Sequence, residues 1–280
     1  MINTIVLTVH NKRSTIDKII EGIETTISSL TQCVIIVDDG SSDGTSEILK
    51  KYSNENSYVT YYYTPDVWEV AANLIGLAEV KTKYATLIQD DMLIHEHCWD
   101  AVLVKSAIYS RAFCVSGRTG CDISFDEDNL YLYNHVGREY PFGSFCFGKI
   151  ATKILKILPE YSRYKISVMI CRALGARKRD TVNRGPLLID MGMYNKLGGL
   201  DGSFSPFELD DVDICLRAQQ KGLGDCYVLP VMYSEINGSK KTSSISAEVS
   251  RRAINANKMK ILKKHSHYIT NKSQKRKYIV

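Results

Sequence analysis

The stretch CVIIVDDGSSDGTSEIL, residues 33–49, decides the fold. Its first five residues are apolar without interruption, which fits a strand buried on both faces of a sheet. They end in two adjacent carboxylates, Asp38 and Asp39, followed by a polar turn and a helix expected over 45–52. Working outward, 2–9 reads as a first strand. A helix is expected over 14–30, with Ile16, Ile19, Ile20, Ile23 and Ile27 at helical spacing. Residues 58–63 and 84–88 read as strands and 68–80 as a helix between them. Strands alternating with helices predict βαβ units and an α/β fold with a mostly parallel central sheet flanked by helices. Ligands of such sheets bind beyond the carboxyl ends of the strands. Asp38 and Asp39 lie at one such end, and Asp90 and Asp91, in YATLIQDDML, lie at another.

Beyond residue 110 the pattern loosens. Residues 111–145 are rich in Gly, Asp and aromatics and give weak strand signals. Residues 149–184 carry ten Lys/Arg against Glu160 and Asp180, and hold two amphipathic helical candidates, IATKILKIL and ISVMICRAL, split by Pro159. An ordered block resumes at Arg184. It ends in a helix over 212–220 stopped by Gly222, then a strand over 225–231, and a last helix is expected over 247–264. Glu208, Asp210, Asp211 and Asp213 form a third acidic group, preceded by the Gly- and aromatic-rich loop GGLDGSFSPF. A helix dipole favours acids in its first turn, which accounts for one or two of these four.

With 280 residues, 44% of them apolar, the chain suffices for one large domain or two small ones. The net charge of +5 divides unevenly: 239–280 carries +11 and the remainder −6. The eight cysteines show no C-x-x-C pair, so neither a disulfide framework nor structural zinc is expected. The opening MINTIVLTVHNK has an apolar run too short for a secretory leader, and no run approaches the length of a spanning helix. A cytoplasmic protein is expected, with contact to an anionic membrane surface through the basic segments as a further expectation.

Four carboxylates meeting at two strand ends would repel unless a cation or a donor-rich ligand intervened. Hard divalent cations such as Mg²⁺ or Mn²⁺ take such oxygens together with ligand phosphates. Read alone, Asp38 and Asp39 could equally cap the turn. An EF-hand fails on register, because position 12 would be Lys50. No P-loop and no G-x-G-x-x-G after a strand is present. His95 and His97 read as a surface pair, Trp68 and Trp99 as core or pocket wall, and Arg184 as a diphosphate contact or a surface residue.

The order of these pieces resembles family 2 glycosyltransferases of the GT-A, Rossmann-like fold. IVLTVHNK resembles the family's opening strand and loop, and VIIVDDGSSDGT its nucleotide-binding turn. AANLIGLAEVKTKYATLIQDDML resembles its helix, strand and DxD-type metal motif. RGPLLIDMGMYNKLGGLDGSFSPFELDDVDICLRAQQKG resembles its acceptor block with the base motif. The resemblance implies that Thr8, Val9, His10 and Asn11 line the donor site, with His10 flanking the base. It implies that Asp38 or Asp39 accepts from a uracil-type N–H, and that Asp90 meets the ribose or a metal-bound water. Asp91 would bind Mn²⁺ or Mg²⁺ at the diphosphate of a nucleoside-diphosphate sugar, UDP favoured. Asp211 would be the general base of an inverting single displacement, and Asp210, in place of the usual Glu, would shape the acceptor pocket. Two positions depart from the family. The metal motif reads Gln89-Asp90-Asp91, without an acid at its first position. VMYSEINGSKKT lacks the usual His, so Glu235 is the expected substitute ligand.

On this reading 1–110 is the donor-binding half, 111–238 the acceptor-side half with a basic helical insertion at 149–184, and 239–280 a basic C-terminal helix and tail. The acceptor is a polysaccharide, a lipid-linked glycan or a protein glycan, and no nucleic-acid partner is expected. The rival readings are an inactive GT-A domain that binds nucleotide or polyanion, a nucleic-acid-binding protein, and a carboxylate-pair hydrolase.

Overall fold

The structure is a computed structural model that describes residues 1–126, 129–136, 169, 172, 175–236 and 247–277. Its first half builds strands β1 (Asn3–Val9), β2 (Thr31–Asp39), β3 (Val59–Thr64) and β4 (Tyr84–Gln89). Between them run helices α1 (Ile16–Thr26), α2 (Thr45–Glu55) and α3 (Glu69–Ala78). A short strand β5 (Met92–Ile94) and helix α4 (Trp99–Ser110) follow. The second half holds β6 (Cys114–Ser116), β7 (Gly120–Asp126), β8 (Asn129–Val136), β9 (Arg177–Arg179), β10 (Thr181–Val182) and β11 (Leu187–Asp190). Helices α5 (Met191–Leu197) and α6 (Asp210–Gln220), strands β12 (Cys226–Val228) and β13 (Tyr233–Glu235), and a long helix α7 (Ala247–Lys277) complete it.

The central sheet has the order β3-β2-β1-β4-β11-β6-β12-β9. The first four strands are parallel, β11 and β9 run antiparallel to their neighbours, and the sheet is mostly parallel as expected. The chain leaves β1 toward β2 and later returns to β4 on the other side, which opens a crevice at the strand ends. The continuous apolar strands are buried on both faces. Ile5, Leu7 and Ile36 pack under α1 and α4, while Val6, Ile35 and Val37 pack under α3, α5 and α6. Side-chain alternation along each strand sends neighbours to opposite layers. Ile16, Ile19, Ile20 and Ile23 of α1 are buried as the spacing predicts. Trp99 is wholly buried, its indole N–H donating to Thr26 Oγ1 at 3.1 Å.

A three-stranded sheet, β10-β7-β8, lies beside the main one. Ile123 and Leu130 from it pack with Ile261, Leu262 and Ile269 of α7. The last helix is therefore bound to the body, and it runs to Lys277 rather than ending near 264. Two of its lysines are tied down: Lys264 pairs with Asp201 and Asp213, and Lys272 with Asp180. The basic segment expected to be helical up to residue 184 is instead strand over 177–179 and 181–182. There β9 is the sheet edge, where charged residues discourage further pairing. The helices expected in IATKILKIL and ISVMICRAL lie, apart from residues 169 and 172, outside the described residues. No helix among the described residues is long and apolar enough to cross a membrane.

Candidate functional site

A cavity of about 570 Å³ opens at the crevice between β1 and β4. Thr8, Val9 and His10 reach it from the end of β1, Asp39 from the end of β2, and Gln89, Asp90 and Asp91 from the end of β4. Trp68, Glu69 and Ala72 form a second side, and Phe207 and Glu208 a third. Arg118 and Glu235 close the wall near Asp91.

Asp38 and Asp39 separate here because adjacent strand residues face opposite ways. Asp38 is fully buried away from the cavity. Its Oδ1 accepts from Ser41 N at 3.1 Å, and its Oδ2 accepts from the Tyr61 hydroxyl at 2.7 Å and from Ser46. It locks the turn and touches no cavity space. Asp39 faces the cavity, with Oδ1 held by Thr64 Oγ1 and Val67 N. Gly40 permits this divergence at φ +69°, where a Cβ would lie 2.6 Å from Asp66 N. Asn11 also stands behind the wall, its side-chain oxygen accepting from Ser42 N and its amide meeting His10 Nε2. The His10 Nδ1–H donates to the Asp39 carbonyl at 2.5 Å, which orients the ring.

Asp90 is gripped from two sides. His10 N donates to Oδ2 at 2.9 Å and Lys12 Nζ lies 3.4 Å from Oδ1. Burial outweighs both and pushes the Asp90 carboxyl up to about 6. Asp91 is raised for the same reason, and Glu235 adds to the rise. Strands β5 and β13 pair with Glu235 opposite Met92, which sets Glu235 beside Asp91. One Glu235 oxygen accepts from Arg118 Nη2 at 3.1 Å, while Arg118 Nη1 donates to Gln89 Oε1 at 3.2 Å. Asp91 Oδ1 is buried with no hydrogen-bond partner. A buried, partnerless carboxylate oxygen beside a second carboxylate suits a hard divalent cation.

The third acidic group sits at the first turn of α6. Arg184 is buried between acids: Nη1 donates to Asp210 Oδ2 at 2.7 Å, Nη2 lies 3.4 Å from Glu69 Oε1, and its backbone N donates to Asp211 Oδ2 at 3.3 Å. It is neither a surface residue nor a cavity residue. Burial pushes Asp210 up to about 7 against the pull of Arg184, and raises Asp211 likewise. Asp211 Oδ1 is committed to Val212 N at 2.8 Å, so Oδ2 is the less engaged oxygen. Neither Asp210 nor Asp211 lines the cavity. Glu208 does, and its carboxyl is raised by burial and by the neighbouring Asp211. Asp213 belongs to the scaffold, bound by Arg217 Nε at 2.7 Å and His265 Nε2 at 2.9 Å.

Backbone strain collects around the cavity. Of seven non-glycine residues with positive φ among those described, Asn11, Asp66, Trp68, Glu208 and Leu209 lie at or next to its walls, Trp68 at φ +73°. Bulky residues rarely hold such angles, and they cluster where function requires them. From α7, Asn257 Nδ2 donates to the carbonyls of Phe204, Phe207 and Glu208, fixing the strained loop. Sequence reasoning missed Lys12, Glu69 and Arg118 as site residues, while Phe207 comes from the aromatic-rich loop GGLDGSFSPF that the sequence singles out. Of those three, only the position of Lys12, three residues past a strand end, offered a signal. His95 and His97 do not converge, since His95 meets Ser234 and His97 meets the Thr25 carbonyl.

Comparison with known proteins agrees with this architecture. A family model described as glycosyl transferase family 2 matches residues 4–166, more than half of the chain. Glycosyltransferase GlyA of Streptococcus pneumoniae serotype 4 (strain ATCC BAA-334 / TIGR4) is 25% identical over 133 residues, which are 48% of this chain and 18% of that protein. The chain thus spans under a fifth of that relative's length. A crystal structure of GalNAc-T7 with UDP, GalNAc and Mn²⁺ matches with a TM-score of 0.64 at 13% identity, over 94% of this chain and 48% of the other. That likeness is one of fold, and it places the sheet, crevice and flanking helices in the GT-A class. By the match to its family model, the chain belongs to glycosyl transferase family 2.

Proposed function

We propose that this chain is an inverting, metal-dependent glycosyltransferase that moves a sugar from a nucleoside-diphosphate sugar to an acceptor hydroxyl. The observation that carries the reading is the cavity itself. In a family 2 chain, acids from the ends of β2 and β4 meet Glu208 and the aromatic side chains Trp68 and Phe207 across one crevice. Asp39, beside the His10 ring, accepts from the N–H of the nucleobase, with UDP favoured as the carrier. Thr8 and Val9 line the same end. Asp90, oriented by His10 N and Lys12, meets the ribose side. Asp91 and Glu235 would hold Mn²⁺ or Mg²⁺, which would supply Lewis-acid stabilisation to a departing diphosphate. Lys12 and Arg118 add fixed positive charge there. Asp211 takes the acceptor proton at Oδ2, and the burial that raises its carboxyl makes it a stronger base than a free aspartate. Asp210, clamped by Arg184, shapes the acceptor side.

Glu208 offers a second reading for the base, because it lines the cavity and Asp211 does not. The acceptor is a glycan or a lipid-linked sugar, and the basic segments provide a contact with an anionic membrane surface on the cytoplasmic side. The donor-binding half is placed at 1–110 and the acceptor-side half at 111–238.

The first test is thermal stability with a panel of nucleoside diphosphates and their sugars, with and without Mn²⁺. A ligand at a hundred times its Kd stabilises the native state by about 2.7 kcal/mol. A metal-dependent rise with the uridine series is expected. No rise with any of them would favour an inactive domain that binds other polyanions. With the donor known, Asp211→Asn is expected to abolish transfer and keep donor binding, while Glu208→Gln keeps transfer. The reverse pattern would move the base to Glu208.

A further inference from the structure

Three cysteines converge in the core, outside the cavity. Cys114 on β6 and Cys226 on β12 are register partners across a parallel strand pair, and Cys215 comes down on them from α6. Their sulfurs all lie within 4.8 Å of one another, with Cys114 Sγ 3.8 Å from Cys215 Sγ. None is more than 1% exposed. Three sulfurs about 2.3 Å from a central ion lie about 4.0 Å apart, so little movement separates this triangle from a ligand set.

A polar relay reaches the triangle from α7. Lys272 Nζ donates to Gln219 Oε1 at 2.5 Å, and Gln219 Nε2, shared with the Asp180 and Cys215 carbonyls, lies 3.6 Å from Cys226 Sγ. Burial raises Cys114 and Cys215 well above an ordinary thiol. Burial acts on Cys226 too, but hydrogen bonds from Cys114 and Cys215, the Gln219 amide and the Lys272 charge reverse the direction and favour its thiolate. Core cysteines acting only as small hydrophobes need no such relay.

We propose that Cys114, Cys215 and Cys226 form a three-coordinate thiolate site for a soft monovalent cation, Cu(I), in the core behind α6. Thiolate sulfur selects soft ions. No fourth His, Cys, Asp or Glu joins the group among the described residues, and structural zinc normally takes four ligands. One Cu(I) displaces the thiol protons of the three cysteines, which pass to solvent, and no oxidation state changes. The Lys272 charge offsets part of the negative charge that results. The ion would fasten β6, β12 and α6 together, independently of the transferase reading. Because the triangle is enclosed, it loads as the chain folds.

The test uses full-length protein in which Cys33, Cys98, Cys146 and Cys171 are replaced by Ser. It is refolded anaerobically with Cu(I), supplied as its acetonitrile complex, against bicinchoninate as competitor. The expected result is one equivalent retained, a thiolate-to-copper charge-transfer band in the near ultraviolet, and a higher Tm. Cys215→Ala should lose the band and the retained ion. Gln219→Leu, which keeps all three sulfurs, should weaken retention about tenfold, as loss of an outer partner does. No retained copper in the parent protein overturns the proposal. Equal retention by Cys215→Ala, or equally tight Zn(II) at the same sulfurs, overturns it as well.

Discussion

Two carboxyls that burial shifts upward, Asp90 at the cavity and Asp210 behind its wall, should make the protein less stable as pH rises toward neutrality, opposite to the usual acid-unfolding trend. Asp90 moves from an ordinary 3.8 to about 6 on folding, chiefly through burial. A carboxyl whose folded pKa is raised contributes stability below its unfolded pKa, and that contribution is lost as pH climbs through the folded value. The shift of roughly two pH units corresponds to about 3 kcal/mol lost between about pH 4 and pH 7. Asp210, raised to about 7, acts in the same direction and extends the window upward. Carboxyls held low by their partners, such as Asp201 at about 2, finish their opposite contribution below this range. Urea midpoints from pH 4.5 to 7.5 should therefore fall, and Asp90→Asn should flatten the profile. Mn²⁺ should restore stability most at the upper end, where protons compete least for the Asp91 carboxylate. A midpoint that rises across this range, or an Asp90→Asn profile parallel to wild type, would refute the assignment of burial as the dominant cause.

Three further outcomes are expected. Gly40→Ala forces a Cβ against Asp66 backbone at φ +69° and should cost about 1–3 kcal/mol in urea unfolding. Asn257→Ala strips the donor from three loop carbonyls and should cost about 1–3 kcal/mol while weakening acceptor use more than donor binding, read as separate KM values. Trp68 borders the cavity while Trp99 is wholly buried, so UDP with Mn²⁺ should change tryptophan emission in wild type and leave Trp68→Phe unchanged.

The first half was open to reading because its signals are local. VIIV is apolar enough to demand burial on both faces, and β1, β2, β3 and β4 follow in sequence with helices between them. What separated Asp38 from Asp39 was the strand's alternation, which is a period-two fact but needs the exact end of β2. Helix α4 escaped notice because it is apolar on most faces and starts at Cys98 without a side-chain cap. The neighbourhood of Asp91 was opaque for another reason. Glu235 reaches it through a pairing of two three-residue strands more than 130 residues apart, and Arg118 arrives from a loop with no periodicity. The resemblance named Glu235 as a substitute ligand, but only the β5–β13 register shows why it lies there. The burial of Arg184 was equally hidden, since it depends on Glu69 and Asp210 coming from separate elements.

The clasp that Asn257 makes on the loop at 204–208 has a consequence for the order of events in synthesis. The strands that bring Thr8, Val9, Asp39 and Asp90 to the cavity all lie within the first 94 residues. The loop that carries Glu208, and the helix that begins at Asp210, are held by groups as late as Asn257, His265 and Lys272. Since domains fold as they emerge at about 5–20 residues per second, that side of the cavity can form many seconds before the opposite wall is secured. A ribosome-bound chain would then have Asp39 and Asp90 in place at their strand ends before the wall that carries Glu208 is secured.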